Sequence, residues 1–526
     1  MNKDFASVEF DDKRKSDIEP SKEKIALVEI SPYQVKLSLA WYVPGAFEVF
    51  DQYVEPLLLH EDIERDGFIK PTQVACCKDI IKMYRRLCDS LNITKSIAYA
   101  TCDLRAAKNH YGFLDEMELS SGFKFRLLSE EDEIGAIHTG IVNSLDISKG
   151  IILCVEEEQT RIVGYVRRVV LGSQVIPFGY ETLSKLFMEG QTGNFEEVCK
   201  TIKEFFKKQI KNLDWLGDLE LTDVQFIGIG DIFDSIGKIS RKGKKYPLDI
   251  PHNYPMSKSD FVNVYNAITS LNLDKEARIK GVSQKSAGSI ASGFAMVSAL
   301  IDFFNIPEFT ISLTGVETGI LFNHCVPITN EKPLQDLLGY SLETNQEFYQ
   351  EGQTNGAHVF DLAMLLFKQL RVMHRLPRMY IKPLKIACYM YNSGSRLRFC
   401  STKKDALNVI LHSQLYGASH KDIVIGAFIA STQYSEEFSL SEWVKYKDIV
   451  DDEDLQAVKK LAVLVRVATC FDRAGQKSIT DIVCDVLGDS VIMKTITETD
   501  IEFELRLANQ AGADFKRVFG KTLELL

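Results

Sequence analysis

Long apolar runs are missing from this chain. No window reaches the ~18 consecutive apolar residues that a membrane-spanning helix needs, and the first 24 residues hold no apolar segment of the kind that starts an export signal. An excess of positive charge is also missing, because 62 Lys and Arg face 73 Asp and Glu for a net charge of −11. The composition therefore predicts neither a membrane protein nor a general nucleic-acid binder.

Paired cysteine motifs are missing as well. The 11 cysteines show no CxxC spacing, so we expect reduced thiols packed as small apolar residues and a cytoplasmic location. Proline is scarce at 14 residues, while 45% of the residues are apolar. Such a chain can bury the cores of roughly three or four domains and is not expected to be disordered.

Strand and helix patterns divide the chain. Three β-rich runs, beginning with IALVEIS at residue 25, lead into a helical stretch and a further strand, and the same order returns from GIILCV at residue 150. This pattern predicts an α/β protein with two similar βββαβα lobes, a helical domain and a small α+β domain. The predicted regions are a flexible tail (1–22), lobe I (23–145), lobe II (146–326), a linker (327–345), a helical domain (346–440) and a C-terminal α+β domain (441–526).

Glycine is missing from a turn where it would matter. The apolar runs at 150–155 and 160–170 are joined by three consecutive glutamates, Glu156, Glu157 and Glu158. Turns that hold phosphate usually expose bare backbone N–H groups through glycine, whereas each carboxylate here would repel a phosphate by roughly 1 kcal/mol even in water. This acidic turn therefore predicts no phosphate site unless a cation intervenes.

Several segments, in order and at the right spacing, resemble one family. The segment at 100–117, ATCDLRAAKNHYGFLDEM, is similar to that family's ATSALRDAxN helix entry, and LLSEEDEIGAIHTGI at 127–141 is similar to its SGxEEARLxxxGV element. IGIGDIFDSIGKI at 227–239, HNYPMS at 252–257 and LAVLVRVATCFDR at 461–473 add to the resemblance. The family is the exopolyphosphatase and guanosine pentaphosphate phosphohydrolase group (Ppx/GppA).

The resemblance implies a fold and an activity. It implies two lobes of the actin, Hsp70 and sugar-kinase type (ribonuclease H-like), an HD-like helical domain at 346–440 and a homodimer. The implied activity is hydrolysis of phosphoanhydride bonds in polyphosphate or in guanosine penta- or tetraphosphate, with magnesium or manganese as the cofactor.

The resemblance also implies site residues. Glu133 is the candidate catalytic base, and Glu29 is a second candidate carboxylate and the candidate metal ligand. The residues implied to contact phosphate are Arg105, Asn109, Gly228 and Gly230. Plainer alternatives exist, because Glu133 sits in a run of four acids that suits a solvated helix N-terminus, and Arg105 could pair with Asp103 or Glu116.

The phosphate loops depart from the family's pattern. In the first loop, the family's DxGSNSxRL is replaced by a sequence with Pro32, which lacks an N–H donor. In the second, Cys154 and Arg161 stand at the two carboxylate positions of DxGGGSTEL, and glutamates replace its glycines. In the third, Asp231 follows Gly230 in place of a glycine.

The helical domain departs from the pattern too. Segment 390–394, MYNSG, lacks the His and Asp of the LHDIG pattern, and segment 401–405, STKKD, lacks the histidines of the HHKHS pattern of HD-type phosphohydrolases. No HD metal centre is therefore expected. The densest basic run, RKGKK at 241–245, predicts a flexible loop, with an anion-contacting loop at the mouth of a cleft as the alternative.

Two functions remain open from the sequence. The first is a non-hydrolytic binding or regulatory protein that keeps the two-lobed fold after losing its phosphate loops, in other words a pseudoenzyme. The second is a working exopolyphosphatase or guanosine pentaphosphate phosphatase that uses Glu133 with a divalent metal. A third hypothesis is that the acidic turn binds a cationic partner or ion directly.

Overall fold

The structure is a computed structural model that describes most of the chain. The described residues are 22–188, 195–210, 213–219, 222–270, 287–326, 334–349, 355–396, 402–432 and 440–526. The tail predicted at 1–22 lies, apart from Lys22, outside this set. Two compact units emerge, one comprising residues up to 133 with 323–327, and the other comprising 134–322 and 328–526.

The first unit is built on a five-stranded sheet. Its strands are β1 (Glu23–Ile30), β2 (Gln34–Val43), β3 (Ala46–Pro56), β4 (Lys95–Ala100) and β5 (Phe125–Leu127), in the spatial order β3-β2-β1-β4-β5. The first three pair antiparallel, and β4 and β5 continue the sheet in parallel. The helices are α1 (Leu59–Asp66), α2 (Pro71–Ser90) and α3 (His110–Ser121). Val28, Leu37, Ile81 and Phe113 fill the core between sheet and helices.

The second unit contains a six-stranded sheet. Its strands are β6 (Lys149–Val155), β7 (Thr160–Val166), β8 (Val169–Ile176), β9 (Gln225–Ile229), β10 (Tyr254–Ser257) and β11 (Glu308–Ile311), in the order β10-β11-β9-β6-β7-β8. As in the first sheet, an antiparallel three-strand meander is extended by parallel strands, here β9 and β11. The predicted α/β class is therefore confirmed.

Helices surround this second sheet. Those before and after the meander are α4 (Glu130–Val142), α5 (Tyr180–Met188), α6 (Glu196–Gln209), α7 (Leu216–Leu219) and α8 (Asp231–Lys244). Three more follow, α9 (Lys258–Thr269), α10 (Ala287–Phe304) and α11 (Val316–Cys325). Helix α10 is almost continuously apolar, and Phe294, Val297 and Leu300 are buried within the core of the unit, as expected for a helix without a polar face.

The basic run at 241–245 is not a loop. Residues 241–244 form the last turn of α8, and Lys245 ends the helix in the left-handed conformation. The prediction was wrong because the apolar spacing of Ile232, Phe233 and Ile236 continues the helix through the charged residues. Arg241 itself is buried, with its guanidinium 5.4 Å from the centre of the Tyr254 ring.

The remainder of the second unit is helical and then mixed. The helices are α12 (Leu337–Tyr349), α13 (Gly356–Gln369), α14 (Arg371–His374), α15 (Ile381–Met390), α16 (Thr402–Leu411), α17 (His420–Thr432), α18 (Leu440–Trp443) and α19 (Asp452–Phe471). The mixed part comprises β12 (Ile479–Val486), β13 (Ser490–Thr497), α20 (Glu502–Asn509), α21 (Gly512–Phe519) and β14 (Thr522–Leu525), with sheet order β12-β13-β14.

Hydrogen bonds join the helical part to the segment between α8 and β10. His420 Nε2 lies 3.0 Å from the carbonyl oxygen of His252, Asn253 Nδ2 donates to Ala418 O at 2.7 Å, and the Tyr246 hydroxyl contacts His420 Nδ1 at 2.9 Å. Leu248 belongs to the same apolar core as the helices that follow residue 334. In the part of the chain that the structure describes, no helix is long and apolar enough to cross a membrane.

Candidate functional site

The first hairpin turn, residues 31–34 between β1 and β2, uses its own polar groups. The Ser31 hydroxyl oxygen accepts hydrogen bonds from the Tyr33 N–H at 3.3 Å and from the Gln34 N–H at 3.1 Å. Pro32 has no N–H to offer, and its carbonyl oxygen accepts from the His60 N–H at 3.2 Å, at the start of α1. The turn therefore presents one carbonyl oxygen to α1, and two of its amides are held by Ser31.

Glu29 lies near the end of β1, in register with Tyr99 on β4. The buried Tyr99 hydroxyl donates a short hydrogen bond to Glu29 Oε2. A donor on one oxygen fixes the carboxylate, and an ion would share it with this hydroxyl.

Glu133 lies in the first turn of α4 and is only 2% exposed. Its Oε1 accepts from the Cys102 N–H at 2.6 Å, and the Cys102 thiol donates to Oε2 at 3.4 Å. Glu133 is therefore not a solvated residue of a helix terminus, because its carboxylate is buried and bonded to the N–H and the thiol of Cys102. A fixed carboxylate of this kind is suited to orient a water molecule.

Arg105 and Asn109 make structural contacts. Arg105 donates to the carbonyl oxygen of Leu128 at 3.0 Å. The Asn109 amide accepts from the Ile69 N–H and donates to the Ile69 carbonyl, both at 2.9 Å, and so pairs with that backbone as a strand would. The Glu116 carboxylate that was an alternative partner for Arg105 instead binds Lys78 Nζ at 2.7 Å.

One glutamate of the acidic turn is paired with a cation of the same hairpin. The Glu156 carboxylate forms a short ion pair with Arg161, whose side chain is 1% exposed, while that of Glu156 is 26% exposed. The Cys154 thiol donates to the other Glu156 oxygen at 3.2 Å. Cys154 and Arg161 face each other across the β6–β7 pair, so strand alternation places Cys154, Glu156 and Arg161 on one face of the hairpin.

The backbone of the acidic turn caps helix α5. The carbonyl oxygen of Glu156 accepts from the Tyr180 N–H at 2.9 Å, and that of Glu157 accepts from the Glu181 N–H at 3.0 Å. The first amides of a helix have no partner inside the helix and often bind anions. Here the turn itself occupies them. Gly179 permits this approach, since a Cβ there would lie 2.2 Å from the Glu157 carbonyl carbon and oxygen.

The second and third loops meet at Tyr180. Burial raises the pKa of the Tyr180 hydroxyl well above its usual value, and the carboxylates of Glu157, which accepts its hydrogen bond, and Asp231 raise it further. Asp231 is the first residue of α8 and follows Gly230, whose φ of 93° requires glycine. Gly228 is needed for packing, because a Cβ there would lie 2.1 Å from the Phe233 ring.

The residues present do not fit a divalent metal at this turn. A magnesium site needs carboxylate or carbonyl oxygens. Cys154 and Arg161 stand where the motif that the hairpin resembles has its two carboxylates, and both side chains contact Glu156. Across the described ranges, no group of three or more His, Cys, Asp or Glu side chains is arranged to hold a metal ion.

Sequence reasoning located the acidic turn and Glu133 but missed Arg161 as an ion-pair partner and Tyr180 as a donor. The signal for Arg161 was present, because the alternation rule puts it on the same face as Glu156. Nothing local in the sequence marks Tyr180, since its contact with the turn depends on how α5 packs back against the meander.

One family model and several known proteins match this chain. The model of the Ppx/GppA phosphatase family matches residues 46–326. A bifunctional 3-dehydroquinate synthase/phosphatase from Fusobacterium nucleatum is 21% identical over 262 residues, which make up 48% of this chain and 38% of that protein. The match thus spans well under half of that relative's length.

Two solved structures share the fold. A Ppx/GppA family member from Aquifex aeolicus superimposes with a TM-score of 0.51 at 18% identity, covering 59% of this chain and 100% of that one. An exopolyphosphatase from Cytophaga hutchinsonii superimposes with a TM-score of 0.51 at 14% identity, covering 57% and 97% respectively. At these identities the likeness shows a shared fold.

Proposed function

Since the chain belongs to the Ppx/GppA phosphatase family, we propose that it keeps the family's fold as a binding or regulatory protein, with hydrolysis of phosphoanhydride bonds weakened or lost. The observation that carries this proposal is the ion pair between Glu156 and the buried Arg161. It occupies the loop in which the family's motif would place glycines and two carboxylates.

Magnitudes support weakened hydrolysis. Loss of one donor that stabilises developing charge can cost ~10²–10³ in rate. In this chain Pro32 removes a donor from the first turn, Ser31 holds two further amides of that turn, and the amides at the start of α5 bind the carbonyls of the acidic turn. These losses need not add, yet all of them weaken the hold on a transferring phosphoryl group.

The ligand class follows from the family. Polyphosphate and guanosine penta- or tetraphosphate are the proposed ligands, because the fold is shared with an exopolyphosphatase and weakened chemistry does not by itself remove binding. We also propose that the helical part is HD-like without a metal centre, that the protein is a cytoplasmic homodimer, and that it needs no cofactor.

A second candidate function has one observation in its favour. The Glu133 carboxylate is buried and held by the Cys102 N–H and thiol, which is the fixed geometry that a general base needs. In that case the protein is a working exopolyphosphatase or guanosine pentaphosphate phosphatase. It would then need magnesium or manganese, with Glu29 as the candidate ligand.

Phosphate release distinguishes the two candidates. Long-chain polyphosphate and guanosine pentaphosphate are incubated, with magnesium and separately with manganese, with the unmodified protein, Glu133→Gln and the matched control Glu131→Gln, which alters an exposed acid of the same helical turn. We expect no release above the Glu133→Gln background. Release that Glu133→Gln abolishes and Glu131→Gln preserves would establish the enzyme instead.

A further inference from the structure

We propose that the acidic turn is an internal ligand: the Glu156 carboxylate occupies, on Arg161, an anion-binding position that accepts a small tetrahedral oxyanion such as phosphate when Glu156 is displaced. This inference deepens the proposed function and rests on it, because it names what holds the second loop closed to phosphate. The device is an autoinhibitory contact made by a side chain of the loop itself.

Burial and charge show why this position attracts anions. A guanidinium that is 1% exposed has lost nearly all of its water, and it keeps its charge at any ordinary pH. A buried cation needs a nearby anion to offset its lost hydration, and the Glu156 carboxylate is one such anion. Arginine's planar fork of N–H donors suits phosphate oxygens as well as it suits a carboxylate.

Exposure shows how an outside anion could reach Arg161. The side chain of Glu156 is 26% exposed, whereas that of Arg161 is 1% exposed. The carboxylate that bonds to the buried guanidinium therefore belongs to a side chain that reaches solvent. Removing the atoms beyond Cβ at Glu156 opens a path to the cation at the place where the carboxylate stood. The Cys154 thiol, which donates to Glu156 at 3.2 Å, becomes a second donor for the new occupant.

The backbone of the acidic turn is held in place, so only the Glu156 side chain has to move. The carbonyls of Glu156 and Glu157 are bonded to the start of α5, and Gly179 packs directly against the turn. The turn is therefore held at both its carbonyls and its glycine contact. Displacement of the Glu156 side chain leaves all of these contacts in place.

Calorimetric titration with inorganic phosphate, in the absence of any hydrolysable substrate, tests the inference. The proteins are wild type, Glu156→Ala, the near-isosteric Glu156→Gln, and Glu196→Gln as a control that removes one negative charge from an exposed position of the same unit. Removing a like charge within a few ångströms should tighten phosphate binding by at least about tenfold in Glu156→Ala and by less in Glu156→Gln. Glu196→Gln should bind phosphate as wild type does.

A double variant identifies the site. In Glu156→Ala/Arg161→Gln the gained phosphate binding should disappear, since the cation is gone. Formate should raise the melting temperature of Glu156→Ala but not that of wild type, because it replaces the missing carboxylate.

Three results would overturn the inference. They are phosphate binding by Glu156→Ala and Glu156→Gln no tighter than wild type, an equal gain in Glu196→Gln, or a gain that survives in the double variant. If Glu156→Ala does not fold, Glu156→Gln alone decides by the same comparison. Hydrolysis that Glu133→Gln abolishes and Glu131→Gln preserves would favour the second candidate function, but it would leave this binding comparison unaffected.

Discussion

The two hairpin turns, at 31–34 in the first unit and 156–159 in the second, share a backbone role and differ in chemistry. In each, a turn carbonyl accepts a hydrogen bond from an N–H at the beginning of the helix that follows the meander. The Pro32 carbonyl accepts from the His60 N–H, and the Glu156 carbonyl accepts from the Tyr180 N–H. The side chains then diverge. A neutral serine holds two amides in the first turn, while a glutamate pairs with a buried arginine in the second.

The shared backbone contacts follow from the fold, whereas the side chains of the two turns do not. The helix after each meander must begin close to the first hairpin, so its first amides need acceptors, and the turns supply them in both units. Nothing in that requirement selects Ser31 over Glu156. The side chains are therefore the part of the comparison that the shared backbone role leaves undetermined.

The residue just before each helix offers the strongest way to break the comparison. Gly179→Ala places a Cβ about 2.2 Å from the Glu157 carbonyl and should destabilise the second unit by roughly 3 kcal/mol through overpacking against backbone. Leu58 holds the matching position before α1 and is 47% exposed, so Leu58→Ala should change stability little. Thermal melts measure both variants, and hydrogen exchange of peptides covering 150–188 localises the effect of Gly179→Ala.

Gly243→Ala is the control for adding a methyl group to a glycine. Nothing lies within 4 Å of a Cβ at Gly243 on α8, and alanine favours a helix. Stability equal to or slightly above wild type is expected. A Gly179→Ala protein as stable as Gly243→Ala would show that the acidic turn can move away from α5.

Lowering the pH should destabilise the second unit more than the first, which sharpens the comparison. Burial lowers the pKa of His252 and of His420 to about 4, and Arg241 contributes to lowering that of His420. In the unfolded chain these histidines take up protons near pH 6.5. The stabilising contribution of these neutral histidines is therefore fully present above that pH. It is lost as the pH drops from about 6.5 towards 4, because the unfolded state binds the extra protons.

Variants test the histidine assignment. His252→Asn keeps a side-chain group opposite the Ser312 hydroxyl, which His252 Nδ1 contacts at 3.2 Å, and removes the titrating ring. The fall in melting temperature between pH 6.5 and 4 should become shallower in His252→Asn, while the exposed His412→Asn should follow wild type. Hydrogen exchange that loosens the first unit before the second as the pH drops would contradict this assignment.

Much of the fold could be read from the sequence because its signals are local. Helix α2 begins at Pro71, a favoured first helical residue, and α19 begins at a capping box formed by Asp451 and Asp454. The acidic turn was also placed correctly, because apolar runs flank it on both sides. Periodicity failed for RKGKK at 241–245, where charged residues continue the amphipathic helix α8.

The site was less predictable because its contacts join distant parts of the chain. The resemblance located Glu133, but its hold on Cys102 spans 31 residues of sequence. Asn109 matched a position implied to contact phosphate, yet its amide is engaged by the backbone of Ile69, 40 residues away. Such pairings depend on how elements pack, and no local pattern encodes them.

The smallest effect should come from the first turn. Ser31→Ala removes the acceptor for the Tyr33 and Gln34 amides, and such hydrogen bonds contribute about 1 kcal/mol. The carbonyl contact of Pro32 with α1 remains, so the loss should stay near that value. Ser31→Thr keeps the hydroxyl and should behave as wild type. Faster amide exchange in peptides covering 28–36 is expected for Ser31→Ala alone. Unchanged exchange there would mean that the β1–β2 pairing, rather than Ser31, holds these amides, and that the two turns differ less than their side chains suggest.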